Sequence, residues 1–262
     1  MLAPIVKVPF YKATDDEEHI FQLAYQNRLP LMLKGPTGCG KSRFVEAMAM
    51  SLGRPLISVA CNEDTSAVDL IGRYIVQGGN TVWQDGPVTK AIREGAILYL
   101  DEISEAREDV VVVLHPLTDH RRSLTIDKLS EEIKAPPEFM LIVSFNPGYQ
   151  RGLKELKPST RQRFVAVHFD YPKAEVETEI VATESGCTLD TAKKLVRFAE
   201  KIRNLKELGL AETASTRLLV DAGKIIRGGL NPRRACDVAI IQPLTDEGDI
   251  MTALRDVAAM IF

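Results

Sequence analysis

Twelve residues, LKGPTGCGKSRF from Leu33 to Phe44, constrain the fold of this chain more than any other stretch. Four glycine or proline residues fall within the eight positions from Gly35 to Ser42. Before them stands LPLMLKG, an apolar run of strand length. After them SRFVEAMAMSLG sets Phe44, Met48 and Leu52 at fourfold spacing and closes at Gly53, as an amphipathic helix does. Strand, glycine-rich loop and helix in that order let backbone N–H groups and a helix N-terminus converge on one anion. The match to GxxxxGK(S/T) puts Lys41 within reach of the β and γ phosphates and makes the Ser42 hydroxyl a magnesium ligand. Gly35, Pro36, Thr37, Gly38, Cys39, Gly40, Lys41 and Ser42 are therefore the candidate nucleotide-binding residues.

A triphosphate held in such a loop calls for a second strand that ends in carboxylates. AILYLDEI supplies it: Ala96 to Leu100 is continuously apolar, as a buried parallel strand is, and Asp101 and Glu102 follow at its C-terminal end, where open α/β sheets place ligands. Asp101 is read as holding the magnesium through water and Glu102 as the residue that polarises the attacking water. A third strand, FMLIVSFNPGY, ends in Asn146. That amide either orients the lytic water, contacts the γ phosphate, or serves as the first residue of a turn at Pro147 and Gly148. Arg161 and Arg163 precede a further strand from Val165 to Phe169.

The apolar segments Pro30 to Lys34, Pro55 to Ala60, Ala96 to Leu100, Phe139 to Ser144 and Val165 to Phe169 alternate with helical stretches, which predicts an α/β fold with a five-stranded parallel sheet covered on both faces. Thr14 with Glu17 reads as a capping box, opening a helix with Ile20, Phe21, Ala24 and Tyr25 on its apolar face. That helix is expected against the sheet, near the base of the nucleotide. GRYIVQGGNTVWQDG reads as a β-hairpin turning at Gly78, Gly79 and Asn80, and RRSLTIDKLSEEIKAPP as a second, with Leu124 and Ile126 opposite Ile133. Beyond Tyr171 and Pro172 the pattern is wholly helical. One stripe runs through Leu189, Ala192, Leu195, Val196, Ala199 and Ile202; Asn231 and Pro232 read as a cap and first-turn proline; a last helix opens near Asp249.

The order of these pieces resembles the AAA+ ATPases, and within them the MoxR branch, closest to the CbbQ/NorQ family. The stretches that carry the likeness are LKGPTGCGKSRFVEAMA, ACNEDTSAVDLIGRY, WQDGPVTKAIREGAILYLDEI, HPLTDHRR, NPGYQ, LKPSTRQRF and NPRRACDVAIIQPLTDE. The resemblance implies a P-loop sheet of order 5-1-4-3-2 in a large domain, residues 1–171, with hairpin inserts at about 73–84 and 121–135, and a helical lid over 172–262. It makes Gly35 to Ser42 the Walker A loop, Asp101 and Glu102 Walker B, Asn146 sensor 1 and Arg217 sensor 2. Arg163, with Arg161 as second candidate, becomes a finger that acts on a neighbour's nucleotide. It further implies ATP and Mg2+ as ligands, a hexameric ring, a von Willebrand A-domain adaptor (CbbO- or NorD-like), and as client either ribulose bisphosphate carboxylase, freed of inhibitory sugar phosphates, or nitric oxide reductase during maturation.

Composition narrows the alternatives. The chain has 262 residues, 45% hydrophobic and 26% charged, with a formal net charge of −3. That balance lacks the basic excess of nucleic-acid binders, so no nucleic acid partner is expected; DHRRS and NPRRA are the only basic spots that favour a DNA-acting motor. No apolar run has bilayer-spanning length and MLAPIVKVPFYK lacks signal-peptide features, so the expectation is a cytoplasmic protein without membrane insertion. Cys39, Cys61, Cys187 and Cys236 are scattered without ligand spacing and read as free thiols, and His115 with His120 lacks a third metal ligand nearby.

Overall fold

The computed structural model describes residues 9–146, 156–205, 210 and 212–262. The strands are β1 (Leu31–Lys34), β2 (Leu56–Ala60), β3 (Gly72–Gln77), β4 (Asn80–Asp85), β5 (Ile97–Asp101), β6 (Ser123–Ile126), β7 (Glu131–Lys134), β8 (Met140–Phe145) and β9 (Val165–His168). Five of them form one parallel sheet in the order β2-β5-β8-β1-β9, which is 5-1-4-3-2 when only its own strands are counted along the chain. Each expected strand is present, displaced by at most one residue at either end.

The centre of the sheet is apolar on both faces. Successive side chains of a strand point to opposite sides, so alternate residues of one run serve two cores. Ile97, Tyr99, Met140 and Ile142 pack with Phe21 of α1 (Glu17–Gln26) and Phe44, Val45 and Met48 of α2 (Lys41–Ser51). Leu98, Leu100, Leu141 and Val143 pack on the other side with Leu70 of α3 (Ala67–Ile71), Ile92 of α4 (Pro87–Glu94) and Val110 of α5 (Glu108–Leu114). A short helix, α6 (Pro158–Arg161), precedes β9.

Both hairpins form. β3 and β4 pair antiparallel with Gln77 opposite Asn80, so Gly78 and Gly79 are the whole loop, and their φ of 58° and 83° is the doubly left-handed turn that fits strand twist. β6 and β7 pair with Leu124 opposite Ile133; Ile126 stands opposite Glu131 instead, and its apolar side chain is buried in the core beneath the sheet.

Three other details differ from the reading by pattern. Thr14 does not cap α1: the N-cap is Asp16, and Glu17, at the first helical position, is buried and accepts the N–H groups of Thr14 and Asp15 at 2.7 and 2.8 Å. Leu189, first in its stripe, is 55% exposed because α8 starts before its neighbours cover it. The turn at Pro147 and Gly148 lies outside the described residues.

The helical part comprises α7 (Ala174–Ser185), α8 (Leu189–Asn204), α9 (Thr216–Arg227), α10 (Pro232–Cys236), a π-helical stretch Asp237–Ile241, α11 (Gln242–Leu244) and α12 (Gly248–Ile261). It has its own core of Val181, Leu195, Phe198, Leu219, Ile240 and Leu254, among others. Asn231 caps α10 through its side chain, with Pro232 in the first turn. A fully buried carboxylate, Glu177, ties this part together: it accepts both arms of the Arg203 guanidinium at 2.7 Å and the Thr216 hydroxyl at 2.6 Å.

Candidate functional site

A cleft of about 590 Å³ opens at the C-terminal ends of β1 and β5, between the sheet and the helical part, a volume suited to a nucleotide-sized ligand. The loop from Gly35 to Gly40 joins β1 to α2 along its floor. Two of its glycines are required by close approach: a Cβ on Gly35 would stand 2.3 Å from the Phe169 carbonyl oxygen, and one on Gly38, at φ 69°, 2.7 Å from Cβ of Ser215. Lys41 is buried at the start of α2 and its ammonium donates to the carbonyls of Gly35 and Pro36, both at 2.8 Å. Cys39 packs into the core beside the loop, and burial pushes its thiol pKa up, so it behaves as an apolar filler.

Opposite the loop, Asp101 ends β5. Its Oδ2 accepts the Ser42 hydroxyl at 3.2 Å, and its Oδ1 accepts Tyr99 Oη at 2.8 Å and the Ser144 hydroxyl. Ser144 also takes the Glu102 backbone N–H at 3.1 Å. Glu102 lies in the left-handed region at φ 54°, a conformation that costs a non-glycine residue about 1 kcal/mol and that recurs at functional sites. Its carboxyl pKa is raised, mainly by burial and then by the charges of Asp101 and Glu105, while Lys41 opposes the shift. Burial beside other carboxylates is how a side chain is tuned toward general-base work.

Asn146, at the tip of β8, donates from Nδ2 to Thr37 Oγ1 at 3.1 Å, and its buried Oδ1 has no hydrogen-bond partner among the described residues. Arg217 enters the cleft from the first turn of α9. The two other arginines do not: among the described residues, neither Arg161 nor Arg163 lines it. Arg163 follows α6 and reaches Asp119 Oδ2 at 3.5 Å, with its side chain about one-third exposed. Thr37 to Ser42, both acids and Arg217 thus line one cleft, Asn146 touches it through Thr37, and Arg161 and Arg163 are not among its lining.

Other cleft residues had no motif to reveal them. Phe10, Tyr11, Lys12 and Thr14 line one wall; the segment before α1, and not the helix expected near the base, supplies that wall. Tyr11 is fixed there by its hydroxyl on Glu17 and a ring contact with Phe44 at 5.4 Å, and its pKa lies far above the usual phenol value, chiefly from burial. Tyr99 and Ser144 hold Asp101 but read in sequence as ordinary strand residues.

Residues 30–164 match the AAA domain (dynein-related subfamily), and residues 177–261 match the CbbQ/NirQ/NorQ C-terminal family. The chain belongs to the AAA+ ATPases of the CbbQ/NirQ/NorQ family. Protein NorQ of Paracoccus denitrificans is 60% identical over 98% of this chain and 95% of its own length. Protein CbbQ of Hydrogenophilus thermoluteolus is 58% identical, covering 97% and 95%. The denitrification regulatory protein NirQ of Pseudomonas aeruginosa is 53% identical, covering 95% and 96%. Among solved structures, a variant of Thermotoga maritima RuvB superposes with a TM-score of 0.56 at 14% identity, over 92% of this chain and 68% of that one, a likeness of fold. As a CbbQ/NirQ/NorQ ATPase, the chain binds nucleotide and hydrolyses ATP, and its family points to oligomeric assembly. Among the described residues no helix is long and apolar enough to cross a membrane.

Proposed function

We propose that this ATPase drives the remodelling of a client protein from within a homo-oligomeric ring, together with a von Willebrand A-domain adaptor. The observation that carries the reading is that, among the described residues, neither Arg161 nor Arg163 lines the cleft of Lys41, Ser42, Asp101, Glu102 and Arg217, while Arg163 reaches Asp119 instead. A phosphoryl transfer needs positive charge on the departing phosphates, and arginine fingers provide about 10³- to 10⁵-fold in rate where they have been measured. Arginines that do not reach their own cleft fit a neighbour's, and a ring brings them there.

Within one subunit, the loop N–H groups and Lys41 bind and orient the triphosphate. Ser42 Oγ and Asp101 Oδ2 face each other across 3.2 Å, an all-oxygen pair that suits a hard cation. They would hold Mg2+, which supplies charge neutralisation at the phosphates. Glu102 takes the proton of the attacking water. Asn146 Oδ1, without a partner among the described residues, accepts a hydrogen bond from the water's other O–H and so aims the oxygen. Arg217 carries the response into the helical part, because its neighbour Thr216 donates its hydroxyl to the buried Glu177.

The client follows the family likeness. The leading, CbbQ-like reading assigns ribulose bisphosphate carboxylase, relieved of inhibitory sugar phosphates; the alternative, NorQ-like reading assigns nitric oxide reductase, and identities of 58% with Protein CbbQ and 60% with Protein NorQ favour neither. Glu102→Gln subunits, which bind ATP without turnover, would retain the client on a column, and mass spectrometry of the eluate names it. Mixing tests the ring: Arg163→Ala and Glu102→Gln are each inactive, and together they regain part of the parental rate, since one kind of mixed interface has an intact finger and an intact base. No recovery would show that Arg163 does not act across subunits.

A further inference from the structure

Tyr171 follows β9 and precedes the helical part, and no motif marks it. Its hydroxyl donates to the Thr37 carbonyl at 3.1 Å. Its ring lies under the Arg203 guanidinium of α8, 4.0 Å from carbon to centroid, and that guanidinium is clamped by the fully buried Glu177 of α7 and donates from Nε to the Ala214 carbonyl at 2.9 Å. Thr37 is held at its other end too, since its hydroxyl meets Asn146 Nδ2 at 3.1 Å and Glu212 at 3.3 Å.

The consequence comes from peptide geometry. In a planar trans peptide the C=O and the following N–H point to opposite sides. A donor that fixes the Thr37 carbonyl on the Tyr171 side therefore aims the Gly38 N–H the other way, toward the phosphate cradle. Gly38 has φ 69° and almost any φ is open to it, so without an external tie this peptide plane can rotate freely. We propose that Tyr171 is a positioning residue which, supported on the Arg203–Glu177 pair of the helical part, pre-aims the Gly38 N–H at the bound phosphates. The cradle is then completed by the helical part as well as by the sheet, and phosphate affinity reports how that part is seated. The claim rests on the phosphate-loop reading of Gly35 to Ser42.

The test compares parent and Tyr171→Phe, full-length and in the assembled form, by calorimetric titration with tripolyphosphate, ATP and adenosine. The Phe ring retains its place under Arg203, and only the hydroxyl is lost. Loss of one hydrogen bond of ordinary strength predicts about 3- to 10-fold weaker binding of tripolyphosphate and ATP. Adenosine affinity stays at the parental value, the melting temperature falls by no more than the roughly 2–5 °C that one hydrogen bond contributes, and the Gly38 amide resonance moves. A packing role alone would weaken all three ligands alike. Parental affinity for tripolyphosphate in the variant, or equal weakening for adenosine, overturns the proposal. If Tyr171→Phe melts early, Arg203→Lys gives the second reading, since it preserves charge opposite Glu177 and the hydroxyl but removes the flat support. Tripolyphosphate affinity falls there also, and an unaltered value overturns the proposal. A parent that ignores tripolyphosphate would refute the phosphate-loop reading itself, an outcome distinct from a parent and variant that bind it equally.

Discussion

Ser144→Ala removes one oxygen that no motif identifies, yet both residues of the candidate acid pair, Asp101 and Glu102, depend on it. The residue is fully buried in β8, donates to Asp101 Oδ1 and accepts the Glu102 N–H at 3.1 Å. A hydrogen bond to an ionised carboxylate contributes about 1.5–3 kcal/mol, and a buried N–H left without its acceptor costs about 1–3 kcal/mol. Tyr99 still serves Oδ1 at 2.8 Å, so the first figure belongs at its low end and the total is about 3 kcal/mol. For a chain of this size that corresponds to a melting temperature lower by roughly 6–12 °C. Releasing the Glu102 N–H also frees a left-handed residue to relax, which moves its carboxylate; misplacement of that order costs about tenfold or more in kcat. Differential scanning calorimetry and steady-state ATPase rates read the two effects, with ATP affinity little altered because the loop lies on another segment. A melting temperature within about 2 °C of the parent, which is less than 1 kcal/mol for a chain of this size, would refute the accounting for this serine.

Glu102→Gln offers a pH test. Because burial and then Asp101 raise its pKa, the folded chain binds this proton more tightly than the unfolded chain does. The penalty for ionising it is absent below the unfolded pKa, grows as pH rises, and is complete above the folded one. The Gln variant therefore gains stability relative to the parent as pH rises from the unfolded value, about 4.3, through the raised folded one, while in the parent hydrolysis fails as pH falls through the raised value; a pH-independent difference in melting temperature would contradict this. Glu177→Ala strands the Arg203 guanidinium, 14% exposed, in the helical core, and should cost about 3–5 kcal/mol in urea unfolding. A loss below about 1 kcal/mol would mean the pair is not what holds α7, α8 and α9 together.

Much of this protein is legible along the chain because the information is local. Glycines at set intervals, a lysine and a hydroxyl between a strand and a helix, and acids at the end of an apolar run are all statements about neighbours in sequence. The structure assembles them at the C-terminal edge of one sheet, where parallel strands deliver their ends together. Both hairpins were legible for the same reason, down to Gly78 and Gly79. Local pattern failed where tertiary contact overrides it. Thr14 and Glu17 have the spacing of a capping box, but the buried carboxylate is satisfied by Tyr11 and two upstream N–H groups, which starts the helix later.

What the amino-acid order determines alone is the kind of chemistry: a glycine loop between a strand and a helix, and a pair of acids at the end of a second apolar strand, are the pattern of an ATPase. What only the tertiary structure decides is how each reactive group is held. Ser144 lies 43 residues from Asp101, Tyr171 lies 134 from Thr37, and Glu177 lies 39 from Thr216. Hydrogen bonds of such separation leave no periodicity or spacing in the sequence; they exist because β8 pairs beside β5, α9 packs on α7, and the segment after β9 returns to the loop, which brings those atoms within 3 Å or so, where a donor finds its acceptor.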